Sequence, residues 1–282
     1  MVNCQKFVNY KHQLMQPSTL SLLFLSGLLI VSSCTGDSKK PTKVLPESSA
    51  EEKLKTALAE HPDSTVLAEN LIQYYRENGS YDRALSTVNK VLEQDSNKLR
   101  FWEIKAILHF ENTDTLSAIR AFEKALMLSP NYADQISLGT LYAQTGNSKA
   151  IVFADMLLAD KKADAVKEAL FIKGLYFSFT NQKQKSIGFF DECIQLNFTF
   201  MDAYREKAIA QYDLGNYEAA LSTLQRATTL QNNFDEGYYF MGRCLEKLNR
   251  KQEAIEAYQM ALLYDPSYLE ASDALAKLGV KN

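Results

Sequence analysis

Residues 101–130 read Phe-Trp-Glu-Ile-Lys-Ala-Ile-Leu-His-Phe-Glu-Asn-Thr-Asp-Thr-Leu-Ser-Ala-Ile-Arg-Ala-Phe-Glu-Lys-Ala-Leu-Met-Leu-Ser-Pro. Within this stretch Trp102, Ala106, Ala118, Phe122, Ala125 and Pro130 set a spacing of aromatic, small, small, aromatic, small and stop. The same spacing returns 136 residues on, four periods of 34, as Tyr238, Gly242, Ala254, Tyr258, Ala261 and Pro266. A fixed period near 34 is the mark of stacked helical hairpins.

Working outward, the small-residue slot is filled by Ile72, Ala106, Gly139, Gly174, Ala208 and Gly242. Five of these six are Gly or Ala, because two helices cross closely only where no bulky side chain stands between them. The matching surface on the second helix follows twelve residues later at Ala84, Ala118, Ala220 and Ala254, with Ser186 in the fourth copy and Ala150 one step early. Seven residues beyond come Val91, Ala125, Cys193, Ala227 and Ala261, positioned to touch the next copy. Asn78-Gly79, Gly146-Asn147, Gly215-Asn216 and Leu248-Asn249 are turn signals, since Gly and Asn tolerate positive φ. Pro130 and Pro266 follow second helices and stop them.

This pattern resembles the tetratricopeptide repeat family. The resemblance implies an all-α fold, a right-handed α-solenoid of about six helical hairpins near 65–98, 99–132, 132–166, 167–200, 201–234 and 235–268. The spacing Ala50, Leu54, Ala57, Pro62 adds a packing helix in 50–64, and Ser272, Leu275, Ala276, Gly279 add a capping helix in 269–282. The third copy departs from the pattern, with a shorter hairpin turn and a longer exit through Lys161-Lys162-Ala163-Asp164.

The chain is 46% hydrophobic and 23% charged with net charge −3, and no basic stripe suits a nucleic acid. Lys6, Lys11 and His12 precede the apolar run Leu20–Val31, too short to span a bilayer as a helix and suited to a secretory signal. The run ends in Val31-Ser32-Ser33-Cys34, which resembles a bacterial lipobox. That resemblance implies a signal peptide over 1–33, lipidation of Cys34 and a flexible tether over 34–49. Thr35, in place of the aspartate retention signal, implies the outer membrane of the bacterial envelope, on its periplasmic side. The alternative is a plain signal peptide cut elsewhere.

No catalytic constellation emerges. His61 stands at a helix exit and His109 in an aromatic packing slot. No Cys/His pair has metal spacing, and no phosphate loop or nucleophile elbow occurs. Glu51-Glu52 and Asp191-Glu192 read as solvated faces, and Cys193 and Cys244 as separate packing residues rather than a disulfide. The expectation is a non-enzyme without cofactor or metal.

In the resembled family the first helices line a concave groove. The repeat phase then assigns a partner-binding surface to Phe110, Ile136, Phe171, Leu175, Phe179, Arg205, Tyr212, Tyr239 and Arg243, with Glu69, Arg76 and Glu103 on one flank. The competing reading is that these aromatics fill the repeat cores. No copy has the Lys and Asn pair with which chaperone-binding members grip a terminal carboxylate. The expected function is a non-catalytic scaffold, anchored to the membrane by lipid, binding an envelope protein or peptide. The alternatives are a carrier of a lipid or peptide ligand, and an envelope glycan or peptidoglycan enzyme.

Overall fold

The computed structural model describes residues 49–159 and 163–280. The signal segment, Cys34 and most of the tether lie outside these residues, as do Asp160, Lys161 and Lys162. Among the described residues the fold is all-α. The helices are α1 (Ala50–Glu60), α2 (Thr65–Glu77), α3 (Tyr81–Gln94), α4 (Leu99–Glu111), α5 (Thr115–Leu128), α6 (Tyr132–Gln144) and α7 (Lys149–Ala159). They continue with α8 (Ala163–Phe179), α9 (Lys183–Leu196), α10 (Met201–Asp213), α11 (Tyr217–Leu230), α12 (Asp235–Lys247), α13 (Lys251–Tyr264) and α14 (Leu269–Lys277).

Each hairpin turn carries one residue of positive φ. These are Gly79, Thr113, Gly146, Asn181, Gly215 and Asn249. The N–H that follows each one bonds back five residues, for instance Ser80 to the Tyr75 carbonyl at 2.8 Å and Gln182 to the Phe177 carbonyl at 2.7 Å. This arrangement satisfies carbonyls that the ending helix leaves open. Thr113 and Asn181 take this role without a glycine, so the turns of the second and fourth hairpins carry weaker sequence signals.

The third hairpin is built differently from the expectation. Its register is one residue short, since Ala150 follows Gly146 by four positions where Ala84 follows Gly79 by five. The residue is lost from the first turn of α7, not from the connection. Ala150 and Ile151 donate to the carbonyls of Asn147 and Ser148, both at 3.0 Å, in the tighter i to i−3 pattern. Ala163 and Asp164, expected in an extended exit, instead begin α8.

Contacts divide the chain into two compact units, one ending at Ala121 and the other beginning at Phe122. In the N-terminal unit α2 packs on α1 and α3, and α3 on α4, around Ala68, Leu71, Tyr75, Ala84, Val88 and Phe101. Ala84, Val88 and Val91 form one apolar stripe along α3 at helical spacing. In the C-terminal unit α8, α10 and α12 each pack against their own second helix and against the preceding one, as α10 does against α11 and α9. The first helices α6, α8, α10 and α12 also touch in succession, which α9, α11 and α13 do not to that extent, so the first helices form the inner row.

The small residues are where this packing needs them. Gly139, Gly174, Ala208 and Gly242 are buried, as are Ala150, Ser186, Ala220 and Ala254 opposite. A Cβ on Gly174 would stand 2.5 Å from Cε1 of Phe190.

Candidate partner-binding groove

The inner row of the C-terminal unit presents Ile136 on α6, Phe179 on α8, Tyr212 on α10 and Tyr239 and Arg243 on α12, all half-buried. Tyr239 and Arg243 stand one helical turn apart on one face. The Arg243 guanidinium lies 4.9 Å from the ring centroid of Tyr212, 5.7 Å from that of Phe240 and 6.0 Å from that of Tyr239. Tyr239 is itself held by Tyr268 at 5.0 Å and Tyr258 at 5.8 Å, so its face of the cage is braced by α13 and the start of α14.

No carboxylate pairs with Arg243 among the described residues. Its neighbours are aromatic residues, whose ring faces attract the cation and of which Tyr212 also accepts a hydrogen bond from it, leaving the other guanidinium N–H groups for further acceptors. A planar fork oriented by stacking is suited to receive a carboxylate in two parallel hydrogen bonds.

Four of the predicted groove residues are placed elsewhere. Phe171 and Leu175 are only 2% and 1% exposed. The Phe171 ring packs 5.0 Å from Phe200 and 5.8 Å from Phe190, between hairpins rather than on the open face. Phe110, in the N-terminal unit, is 8% exposed and also belongs to a core. Arg205 is buried at 3% exposure and bonds Asp202 at 3.0 Å, Glu206 at 3.4 Å and Glu236 of α12. It is an internal crosslink between α10 and α12. Glu236 of α12 closes on Arg205, and Phe190 of α9 with Phe200 in the α9–α10 connection close on Phe171; a repeat phase read along one helix does not register what a neighbour covers.

Other polar contacts explain residues that the sequence left open. Arg76, expected on a groove flank, forks onto Glu111, with Nη2 2.6 Å from Oε1 and Nε 2.8 Å from Oε2, and so ties α2 to α4. Buried Lys183 reaches Asp213 at 2.7 Å and the Ser178 hydroxyl at 3.0 Å, joining α8, α9 and α10. No sequence signal announced either. His109 packs beside Asp114, with Nδ1 3.4 Å from Oδ2, and burial pushes its pKa down, outweighing the aspartate. Among the described residues no group of three or more His, Cys, Asp and Glu side chains is arranged to hold a metal.

Residues 48–108 and 205–274 match the tetratricopeptide repeat. These two segments resemble that repeat in sequence. A tetratricopeptide repeat protein from Parabacteroides merdae has a similar structure, with TM-score 0.68 and 20% identity over 82% of this chain and 91% of that one. PilW, a widely conserved type IV pilus biogenesis factor, aligns with TM-score 0.56 and 17% identity over 75% of this chain and 99% of its own. At these identities the likeness is one of fold. Among curated proteins, FlbA of Caulobacter vibrioides is 26% identical over 216 residues, 64% of this chain and 36% of FlbA. Human Superkiller complex protein 3 is 22% identical over 211 residues, 72% of this chain and 14% of its own. The chain therefore spans about a third or less of the length of these two relatives. Repeats of this kind are interaction scaffolds that offer extended surfaces to other proteins.

Proposed function

We propose that the protein is a lipid-anchored, non-catalytic scaffold of a bacterial envelope, and that it holds a partner segment along α6, α8, α10 and α12. The observation that carries the binding mode is Arg243, a half-buried cation caged by Tyr212, Tyr239 and Phe240 without a carboxylate of its own. An acidic side chain or terminal carboxylate of the partner fits that cage, and apolar side chains beside it fit Ile136 and Phe179. A few aromatic and arginine anchors commonly dominate such interfaces. The envelope assignment is supported by the apolar run Leu20–Val31 and by Val31-Ser32-Ser33-Cys34, with lipid on Cys34 and the repeats on the periplasmic side of the outer membrane.

A photocrosslinking amino acid at Tyr212, in cells, tests the reading. A discrete adduct in the membrane fraction is expected, lost with Arg243→Glu and released to the soluble fraction with Cys34→Ala. Adducts that persist unchanged in a folded Arg243→Glu variant would sink the proposed binding mode. An unaltered membrane distribution of Cys34→Ala would sink the anchor.

A further inference from the structure

The N-terminal unit holds a cleft of about 540 Å³ that the groove does not involve. Its walls are α1 and α3 and its floor is α2. Leu58, Ala59 and Pro62 line it from the α1 side, Leu71 and Tyr75 from α2, and Val91 from α3. The α3 contribution runs from Arg83 to Gln94, so the cleft is a trough about 16 Å long at 1.5 Å per helical residue. Its size falls within the range of about 300–1,000 Å³ common to small-ligand sites.

The trough is cationic in a chain of net charge −3, for Lys55, Arg83 and Lys90 all border it. Glu51 answers the first two, at 2.7 Å from Lys55 and 3.0 Å from Arg83, and accepts from the Tyr75 hydroxyl at 3.2 Å. Lys90 has no acidic partner among the described residues. Three cations thus stand against one carboxylate.

We infer that this trough binds an aliphatic chain with an anionic head, the head at the basic rim and the chain along Leu58, Leu71 and Val91. A peptide strand fits it less well. The walls are helices whose own backbone groups are already bonded, and Thr87 spends its hydroxyl on the Arg83 carbonyl at 2.9 Å. Only Ser86 and Gln94 offer neutral polar side chains to the amides of an extended peptide, so most of those amides would lose partners at a cost an acyl chain does not incur. The α1 wall is lightly held, with no residue of its own fully buried, so it can adjust to a chain. The inference is independent of the groove on α6 to α12.

The test uses the full chain in phosphatidylcholine nanodiscs, photolabelled with a diazirine-bearing palmitate. A parallel sample carries diazirine-bearing phosphatidylglycerol in the disc. Adducts are expected on the peptides containing Leu58 and Val91. The Arg83→Glu, Lys90→Glu double variant should lower them about tenfold by losing the charge-assisted contacts. Ala59→Trp fills the trough at an exposed position without touching a charge and should lower them similarly while its helical melt stays unchanged. Labelling by the free acid points to a soluble fatty carboxylate, and labelling from the doped disc to a bilayer lipid. Adducts scattered over the chain, or undiminished in the well-folded Ala59→Trp protein, overturn the inference.

Discussion

The ring of Tyr258 lies directly over Gly242, so that a Cβ at that glycine would come 2.5 Å from Cε1 and 2.7 Å from Cδ1. The glycine keeps α12 and α13 close enough for Tyr258 to be wholly buried between them. Gly242→Ala must push that ring or the helix aside, and should cost about 1–3 kcal/mol. Gly188 is the internal control, since it sits exposed within α9 and a Cβ there would have nothing within 4 Å. Gly188→Ala should raise stability by up to about 1 kcal/mol through helix propensity alone. Thermal melts followed by circular dichroism should therefore move in opposite directions for the two alanines.

Arg205 offers a second separation of roles. Asp202, at 4% exposure, and Glu236 share its guanidinium inside the stack. Arg205→Met keeps much of the volume but strands both carboxylates, which should cost about 3–5 kcal/mol. Adding Asp202→Asn and Glu236→Gln should recover a good part of that loss. A partner-contacting arginine would instead leave the melt of the isolated protein nearly unchanged, and urea unfolding of the two variants distinguishes these outcomes.

Glu168 gives the stack a pH dependence. Burial raises its pKa above the ordinary 4.5, with Asp202 and Asp164 adding to the rise and Lys167 opposing it. A raised carboxylate pKa means that the folded form holds a proton the unfolded chain has released. Its contribution is therefore fully present below about pH 4.5 and is lost as pH rises through the folded value. Glu168→Gln should remove this contribution, so the melting temperature of the variant should fall less steeply than that of the parent between pH 5 and neutrality, about the range a raised carboxylate covers. Parallel slopes would show that Glu168 titrates normally.

The thiols of Cys193 and Cys244 should be inert in the folded protein. Both are buried, and burial pushes each pKa up to about 12. At neutral pH almost no thiolate exists to attack an electrophile. Maleimide treatment followed by peptide mass spectrometry should find both unmodified in buffer and both modified in denaturant. Site-specific readout is needed because the sequence also has Cys4 and Cys34.

Much of this architecture was legible one helix at a time. The interval from Gly242 to Ala254 to Ala261 is a statement about which side chains share a face, and backbone geometry makes it hold wherever the helix is placed. Gly79, Gly146 and Gly215 announced their turns because positive φ is cheap for glycine. Asn181 adopts the same φ as a residue that tolerates it, whereas Thr113 adopts it with no such signal, since the helices on either side impose it.

The sequence by itself determined the period, the all-α class and the faces on which small residues meet. Tertiary structure alone decided which of those faces stays open. Phe171 and Tyr239 occupy the same slot of their hairpins, yet one is 2% exposed and the other remains half-open. Arg205 and Arg243 both read as groove cations, but Asp202, Glu206 and Glu236 close around the first and only aromatic rings around the second. The reason is that periodicity is a property of one helix, whereas exposure and charge pairing depend on the helix beside it.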